Sequence, residues 1–419
     1  MSHPVTCDIF CNVIDNYGDI GVCWRLARQL AHEHGVAVRL WVDDLGSLAK
    51  LCPEADAKLD SQHYREVEVR RWAALFPEVE PAQMVIEAFA CKLPERYITA
   101  MAERQQSVWI NLEHLSAEDW VAGCHKLPSP HPSLPLVKYF FFPGFTRQTG
   151  GLLLERDLIA RRDTFQNDAV QQPVFWQSIG TDMPDTETLK VSLFCYENTA
   201  LQSLFDTWAS GNQPVRCLVP EGRILPQVGQ YFGDTAPCAG KDYSSGNLQV
   251  HVLPFVEQER YDELLWACDI NFVRGEDSCV RAQWAGKPFV WHIYPQHDGV
   301  HMQKLHAFMA LYGAGLPLHA AQALRGLWEV WNGVAGHGIL NPVHPELVKG
   351  QMGRFDKLSP NGPHTPSTSV SKAWNNLWVH RSILRQHAHD WAQELSGNNL
   401  ALNLLDFFRS IDRMRGFKI

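Results

Sequence analysis

The chain lacks the features that would direct it to nucleic acid, to a membrane or to export. Its net charge is −9 and its Lys and Arg residues form no long run, which argues against nucleic acid as the main ligand. No apolar run reaches the roughly 18 residues that a membrane helix needs. The N-terminal residues MSHPVTCDIFCNVIDNYGD contain no basic region followed by an apolar run. We therefore expect no membrane span, no signal peptide and a cytoplasmic location.

Motifs for metals, disulfides and common cofactors are also missing. The 11 cysteines are an odd, scattered set without a C-x-x-C, so we expect reduced thiols that act as small core residues. There is no Walker A motif, no G-x-G-x-x-G and no Asp-x-Asp. Two histidine groups come closest to a metal site but lack the spacing of zinc proteins: His292, His297 and His301, and His380, His387 and His389. We expect no metal and no cofactor.

The chain contains two series of alternating strands and helices. A length of 419 residues with 45% hydrophobic and 20% charged residues favours about two globular domains. A strand at Val5–Ile14, a helix at Gly21–His34 and a strand at Val36–Val42 predict a doubly wound α/β domain. A second series starts at Lys190–Tyr196. We predict one domain over 1–175, a linker over 176–187, a second domain over 188–370 and C-terminal helices from 371 to 419.

Several other elements follow from apolar runs and from Gly and Pro punctuation. Further predicted strands are Met84–Ala90, Ser107–Leu112, Tyr139–Phe142, Pro214–Pro220 and Leu248–Leu253. Predicted helices are Asn198–Ser210, Glu257–Ala267, Ser371–Ser396 and Asn399–Met414. A Gly/Pro/Ser-rich loop is predicted at Gly350–Thr368.

The segment Ala267–Gly299 predicts a site for phosphate. It reads as a strand at Asp269–Val273, a turn at 274–276, a helix and a strand at Pro288–Tyr294. Asp277 and Ser278 are helix-capping types, and Gly286 stands where a helix needs a left-handed end. A glycine-containing turn that opens a helix directs free N–H groups and a positive dipole end at one spot, which suits a diphosphate. The alternative is an ordinary βαβ unit with a well-capped helix.

Two loops carry candidate catalytic carboxylates. Asp15 and Asp19 follow the first strand, at the end that faces the ligand crevice in open α/β sheets, and can act as base and orienting partner. The alternative is that one of them caps the next helix and the other forms an Asx turn. Glu276, in the phosphate-type turn, is a candidate for contact with a sugar hydroxyl or a cationic acceptor. Arg274 can neutralise phosphate, and its alternative is a surface ion pair.

Five more residues are candidates for nucleotide binding. The aromatic side chains can stack on a nucleobase, and core packing is the alternative for each of them. The residues with a polar group can donate hydrogen bonds to a donor, or simply start a helix or end a strand. The five are Phe194, Tyr196, Phe255, Gln258 and Tyr294.

Five long segments, spread over both halves, resemble the bacterial elongation factor P arginine rhamnosyltransferases, which are GT-B glycosyltransferases. They are FCNVIDNYGDIGVCWRLARQL (10–30), VIEAFACKLP (85–94), WINLEHLSAEDWV (109–121), LPSPHPSLPLVKYFFFPGFTRQTGGLL (127–153) and FVRGEDSCVRAQWAGKPFVWHIYPQ (272–296). The chain departs from the family pattern at His114, where an aromatic hydroxyl is expected, and in a longer segment over about 333–368.

The resemblance implies an α/β protein of GT-B architecture: two Rossmann-like domains that face each other across a cleft, with helices of 371–419 packing back on the first domain. It implies metal-independent, inverting transfer of L-rhamnose from dTDP-β-L-rhamnose to one arginine of elongation factor P. Asp19 is then the base, Asp15 orients the guanidinium, and Glu276 contacts the sugar or the acceptor. The donor-binding set is Phe194, Tyr196, Phe255, Gln258, Arg274, Glu276, Asp277, Ser278 and Tyr294.

Two other functions remain open at this point. One is a GT-B glycosyltransferase or epimerase that acts on a different nucleotide sugar or acceptor. The other is a non-catalytic protein that holds a partner in the cleft between the domains.

Overall fold

The first half of the chain forms an eight-stranded sheet. The computed structural model describes residues 4–14, 17–295, 299–333 and 369–416. The strands are β1 (Thr6–Cys11), β2 (Ala37–Val42), β3 (Ser61–Tyr64), β4 (Val67–Arg71), β5 (Met84–Ala88), β6 (Val108–Leu112), β7 (Pro128–Pro130) and β8 (Val137–Phe141). Their order is β3-β4-β2-β1-β5-β6-β8-β7. β1 is central and parallel to β2 and β5, as its continuous apolar sequence predicts.

Helices flank this first sheet and connect it to the second half. They are α1 (Gly18–His34), α2 (Leu45–Leu51), α3 (Glu95–Arg104), α4 (Trp120–Cys124), α5 (Leu158–Asn167) and α6 (Gln171–Ser178). The strand predicted to reach Ile14 ends at Cys11, and α1 begins three residues earlier than predicted. Gly35 ends α1 in the left-handed conformation, with φ of 63°.

The second half forms a six-stranded sheet of order β11-β12-β10-β9-β13-β14. Its strands are β9 (Leu189–Leu193), β10 (Val215–Pro220), β11 (Asp242–Ser245), β12 (Leu248–Leu253), β13 (Ile270–Arg274) and β14 (Phe289–His292). Its helices are α7 (Leu201–Ser210), α8 (Leu225–Phe232), α9 (Gln258–Ala267), α10 (Asp277–Trp284), α11 (Val300–Gly313) and α12 (Leu318–Trp331). The linker predicted over 176–187 overlaps the last three residues of α6, where Trp176 is buried, and otherwise lies between α6 and β9. The domain limits stay a prediction.

The antiparallel edge strands were missed by the sequence interpretation. β3 pairs with β4, β7 with β8, and β11 with β12, all antiparallel. The sequences SQHY, PSP and DYSS contain no apolar run. These three edge strands bury little surface, so hydrophobic periodicity cannot reveal them.

The C-terminal helices divide between the two halves. The single helix predicted over Ser371–Ser396 is two helices, α13 (Val370–Val379) and α14 (Arg381–Leu395), because α13 packs on α12 and α7 while α14 packs on α10. α15 (Leu400–Gly416) packs on the first half, against α1 and β6. The segment before it also contacts the first half, through a bridge between Asn399 and Leu152 and a ring contact between Trp391 of α14 and Phe145.

Two further predictions concern loops and membranes. The loop predicted at Gly350–Thr368 lies outside the described residues. Among the helices that are described, none combines the length and the apolar character needed to cross a membrane.

Candidate active site

A cleft of about 420 Å³ lies between the two halves, where the parallel strands of both sheets have their carboxyl ends. In open α/β sheets this is where ligands bind. From the first half it is lined by Asn12, Ile14, Gly18, Asp19, Val22, residues 89–92, His114 and Leu115. From the second half it is lined by Gly275, Glu276, Trp291, Ile293, Tyr294, His301 and Lys304. A smaller cavity adjoins the cleft, and Gly18 and Gly275 line both.

Asp19 lies near the N-terminus of α1 and lines the cleft. It is 7% exposed and sits in the first turn of the helix, where one carboxylate oxygen, Oδ2, accepts a hydrogen bond of 2.8 Å from the backbone N–H of Ile14. The N-cap of α1 is Tyr17, so Asp19 does not cap the helix but shapes the loop before it. Asp15 lies outside the described residues, and its role stays a prediction.

Glu276 reaches across the cleft to the first half. Its Oε1 lies 3.1 Å from His114 Nδ1, and its Oε2 accepts a hydrogen bond of 3.0 Å from the backbone N–H of Leu115. Burial would raise the pKa of Glu276, but His114, Lys304 and the backbone N–H of Leu115 together hold this pKa below its ordinary value. Burial would lower the pKa of His114, but Glu276 raises it above its ordinary value. The ring of Phe89 stacks on His114 at 4.6 Å.

Arg274 lies among the aromatic residues that the sequence proposed for the nucleotide. Its guanidinium carbon is 4.6 Å from the ring centre of Phe194 and 4.7 Å from that of Tyr196. Tyr196 packs edge-on against Tyr294 at 5.6 Å. Arg274 is only 6% exposed, yet its Nη1 has no hydrogen-bond partner among the described residues. A buried guanidinium N–H without a partner is suited to an anionic ligand.

The turn after β13 differs from its prediction in how it is capped. α10 follows Glu276, which makes no side-chain cap, so neither Asp277 nor Ser278 is the N-cap. The Ser278 hydroxyl instead accepts from the backbone N–H of Arg274 at 3.0 Å and donates to the carbonyl oxygen of the same residue. This short loop closes because Gly275 adopts a φ of 64°. Contacts of Asp277 and Ser278 with a donor stay a prediction.

Gln258 and Phe255 contact the first half of the chain. The Gln258 amide nitrogen Nε2 donates to the backbone oxygen of Gly21 at 3.0 Å, and its Oε1 accepts from Arg28 at 2.9 Å. Phe255 packs against Tyr17 at 4.7 Å. Both residues also line the smaller cavity, so they join the two halves at the place where the donor is predicted to bind.

Comparisons with known proteins decide the family. The model of the family "Elongation-Factor P (EF-P) rhamnosyltransferase EarP" matches residues 7–409. The chain belongs to this family. It is 48% identical over 407 residues to the protein-arginine rhamnosyltransferase of Pseudomonas putida, covering 97% of this chain and 99% of that protein. It is 51% identical over 333 residues to the one of Pseudomonas aeruginosa, covering 79% of this chain and 88% of that protein.

A solved structure of the EarP family confirms the fold. It describes the structural basis for EarP-mediated arginine glycosylation of translation elongation factor EF-P, and it is 36% identical to this chain with a TM-score of 0.64. The match covers 97% of this chain and 99% of that chain. The predicted α/β class with GT-B architecture is therefore correct.

Several cleft residues of this EarP-family chain were missed from the sequence. Residues Phe89, Ala90 and Lys92 follow β5 and have φ of 56°, 54° and 55°. They come after the carboxyl end of a parallel strand, and that position alone could have marked them. Lys304, on α11, gave no such signal, because only the tertiary fold brings that helix to the cleft.

Proposed function

We propose that the chain transfers L-rhamnose from dTDP-β-L-rhamnose to an arginine side chain of elongation factor P, with inversion at the sugar. One observation carries the proposal for a member of this family. Carboxylates from both halves, Asp19 and Glu276, line the same cleft, while Arg274 lines the adjoining cavity and its Nη1 has no hydrogen-bond partner in the described part of the chain. Two carboxylates that line one cleft suit a guanidinium acceptor, and a buried arginine suits the diphosphate of the donor.

In the proposed reaction an acceptor nitrogen attacks the anomeric carbon of rhamnose. The new C–N bond forms as the bond from that carbon to the phosphate oxygen breaks, and dTDP leaves with the electron pair. Asp19 accepts the proton that the nitrogen loses, and Glu276, with the predicted partner Asp15, holds the guanidinium. One direct displacement converts the β-donor into an α-product.

The donor half would stabilise the leaving group. Arg274 and the N-terminus of α10 offer positive charge to the diphosphate. Phe194 and Tyr196 offer rings to the nucleobase, and Tyr294 offers a hydroxyl. We infer no metal in this step, and we infer that the reaction occurs in the cytoplasm together with its protein acceptor.

The test is intact-mass analysis of unmodified elongation factor P incubated with the protein, dTDP-β-L-rhamnose and EDTA. The expected result is a gain of one deoxyhexose. Asp19→Asn should lower the rate by at least about 100-fold, the range seen for loss of a general base. Asp182→Asn, which changes an exposed acid outside the cleft in the same way, is the matched control and should keep full activity.

Two results would contradict the proposal. If a folded Asp19→Asn variant transfers as fast as the parent, Asp19 is not the base. If the parent binds another nucleotide sugar, such as UDP-N-acetylglucosamine, in preference to dTDP-rhamnose, the chain acts on a different donor.

A further inference from the structure

Arg25, on α1, is a buried residue that the proposed reaction does not use. It is 2% exposed, and its guanidinium contacts groups of the second half. Its Nε donates to Asp277 Oδ1 at 2.9 Å, Nη1 and Nη2 each lie 3.3 Å from an oxygen of Asp262, and Nη2 donates to the backbone oxygen of Gln258 at 3.3 Å. Nη1 also lies 3.3 Å from Glu155. Each guanidinium nitrogen of Arg25 therefore has at least one partner.

The charges around Arg25 make it difficult to replace. Arg281, which is 1% exposed, binds Asp262 and Glu155 from the other side, at 2.7 and 2.6 Å. The cluster holds two cations and three carboxylates, counting Asp277, so it carries one net negative charge. Loss of the Arg25 charge would leave two excess negative charges in a largely buried place, where unpaired charge is strongly unfavourable.

The contact between Arg25 and Asp277, called the link below, joins the two segments that carry the proposed reacting groups. Asp277 is the residue directly after Glu276 and starts α10. Asp19 lies in the first turn of α1, the same helix that carries Arg25. Between them, the backbone oxygen of Gly21 accepts from Gln258, and a Cβ at Gly21 would lie 3.3 Å from Asp277 Oδ2. The helix that carries Asp19 thus rests directly on the donor turn.

We propose that Arg25 is a positioning residue: it fixes α1, and with it Asp19, against the Glu276–Ser278 turn. This inference rests on the proposed function, because it takes Asp19 as the base. Arg25 does not line the cleft. Among the predicted donor residues it contacts Asp277 and the backbone of Gln258, whereas Arg274 contacts Phe194 and Tyr196 within the second half. Loss of the link should therefore lower kcat more than it weakens donor binding.

The test compares Arg25→Lys and Arg25→Gln with Arg96→Gln, a change at an exposed ion pair within the first half. Lysine keeps the charge but loses the planar fork, so we expect a folded protein with kcat lowered by about 10-fold. Glutamine also loses the charge, and a base displaced by about 1 Å lowers the rate by on the order of 100-fold. The Kd for dTDP should change by less than about 3-fold in both, and Arg96→Gln should behave as the parent.

Hydrogen exchange supplies a readout that does not depend on activity. In Arg25→Lys the amides of residues 18–22 should exchange faster than in the parent, while those of β1 and β9 should not. If the parent fails to modify elongation factor P, the proposed function is wrong, and exchange still tests the link itself. A folded Arg25→Lys variant with parental kcat and parental exchange overturns the inference. So does a loss of dTDP affinity as large as the loss of kcat. If Arg25→Gln fails to fold, Arg25→Lys decides alone.

Discussion

Replacement of Arg274 by Met should separate donor binding from stability. Methionine keeps an unbranched, flexible side chain, which is shorter than that of arginine and has neither charge nor N–H groups. In the parent, the Arg274 guanidinium is 6% exposed, contacts two rings at 4.6 and 4.7 Å, and leaves Nη1 without a partner in the described part of the chain. The unpaired Nη1 lowers the stability of the unliganded protein, and it can donate a hydrogen bond to a diphosphate.

The two effects can be weighed separately. Without ligand, loss of two cation–π contacts costs about 1 kcal/mol each, and removal of a buried, unpaired N–H returns about 1–3 kcal/mol. These terms nearly cancel, so the free energy of unfolding should stay within about 1 kcal/mol of the parent. In the complex, loss of a buried, charged hydrogen-bond partner costs about 2–5 kcal/mol. At about 1.4 kcal/mol per tenfold change, the Kd for dTDP should rise by roughly 100-fold.

Calorimetric titration with dTDP measures the predicted change in Kd, and thermal unfolding without ligand measures the predicted change in stability. Arg325→Met, on the exposed face of α12, is the matched control and should leave the Kd unchanged. A Kd within about 3-fold of the parent would show that Arg274 does not bind the diphosphate. A large fall in the melting temperature would refute the assignment of its Nη1 as an unpaired group.

Two further predictions concern the contacts between the halves. His114→Gln should lower the melting temperature more at about pH 6 than at about pH 9. The stabilisation from the ion pair with Glu276 is fully present between pH 4.5, the ordinary pKa of Glu, and pH 6.5, the ordinary pKa of His. It is lost as the pH rises through the raised pKa of His114. Because the His114 side chain is 44% exposed, we expect only about 0.5 kcal/mol, and equal losses at both pH values would contradict the pairing. Gly151→Ala should destabilise by more than about 2 kcal/mol, since Gly151 has φ of 80° and a Cβ there would lie 2.2 Å from the backbone oxygen of Asn398. Chemical unfolding measures this, and Gly123→Ala, with open space around its Cβ, should be nearly neutral.

The sequence predicted groups that lie near their own strand ends and missed those joined by long-range contacts. Arg274, Tyr196 and Tyr294, which the sequence grouped as candidate donor contacts, lie together in the structure, because each ends or follows a parallel strand of the same sheet. Their contacts with a donor stay a prediction. The ion pair between Arg25 and Asp277 joins residues 252 positions apart. Nothing in either local pattern indicates the other partner, so this link required the tertiary structure.

The capping error has a related cause. Asp277 and Ser278 have the right side chains for a helix cap, and residue type alone favours that role. In the folded protein the Asp277 carboxylate accepts a hydrogen bond from Arg25, and the Ser278 hydroxyl accepts one from the backbone N–H of Arg274. These tertiary and local partners thus replace the free backbone N–H groups at the helix start that the two residue types are predicted to bind.

Gly275 separates two oppositely charged side chains in the turn after β13. Arg274 and Glu276 have only this residue between them, and an ion pair between them would cancel the charges that the proposed donor and acceptor need. With φ of 64°, Gly275 turns the chain so that Arg274 lines the smaller cavity and Glu276 lines the larger cleft. Its carbonyl oxygen accepts from the Trp291 indole at 2.7 Å, which holds the turn in place. In the proposed reaction, this arrangement keeps the cation for the diphosphate and the anion for the guanidinium adjacent but facing apart, as transfer between an anionic donor and a cationic acceptor requires.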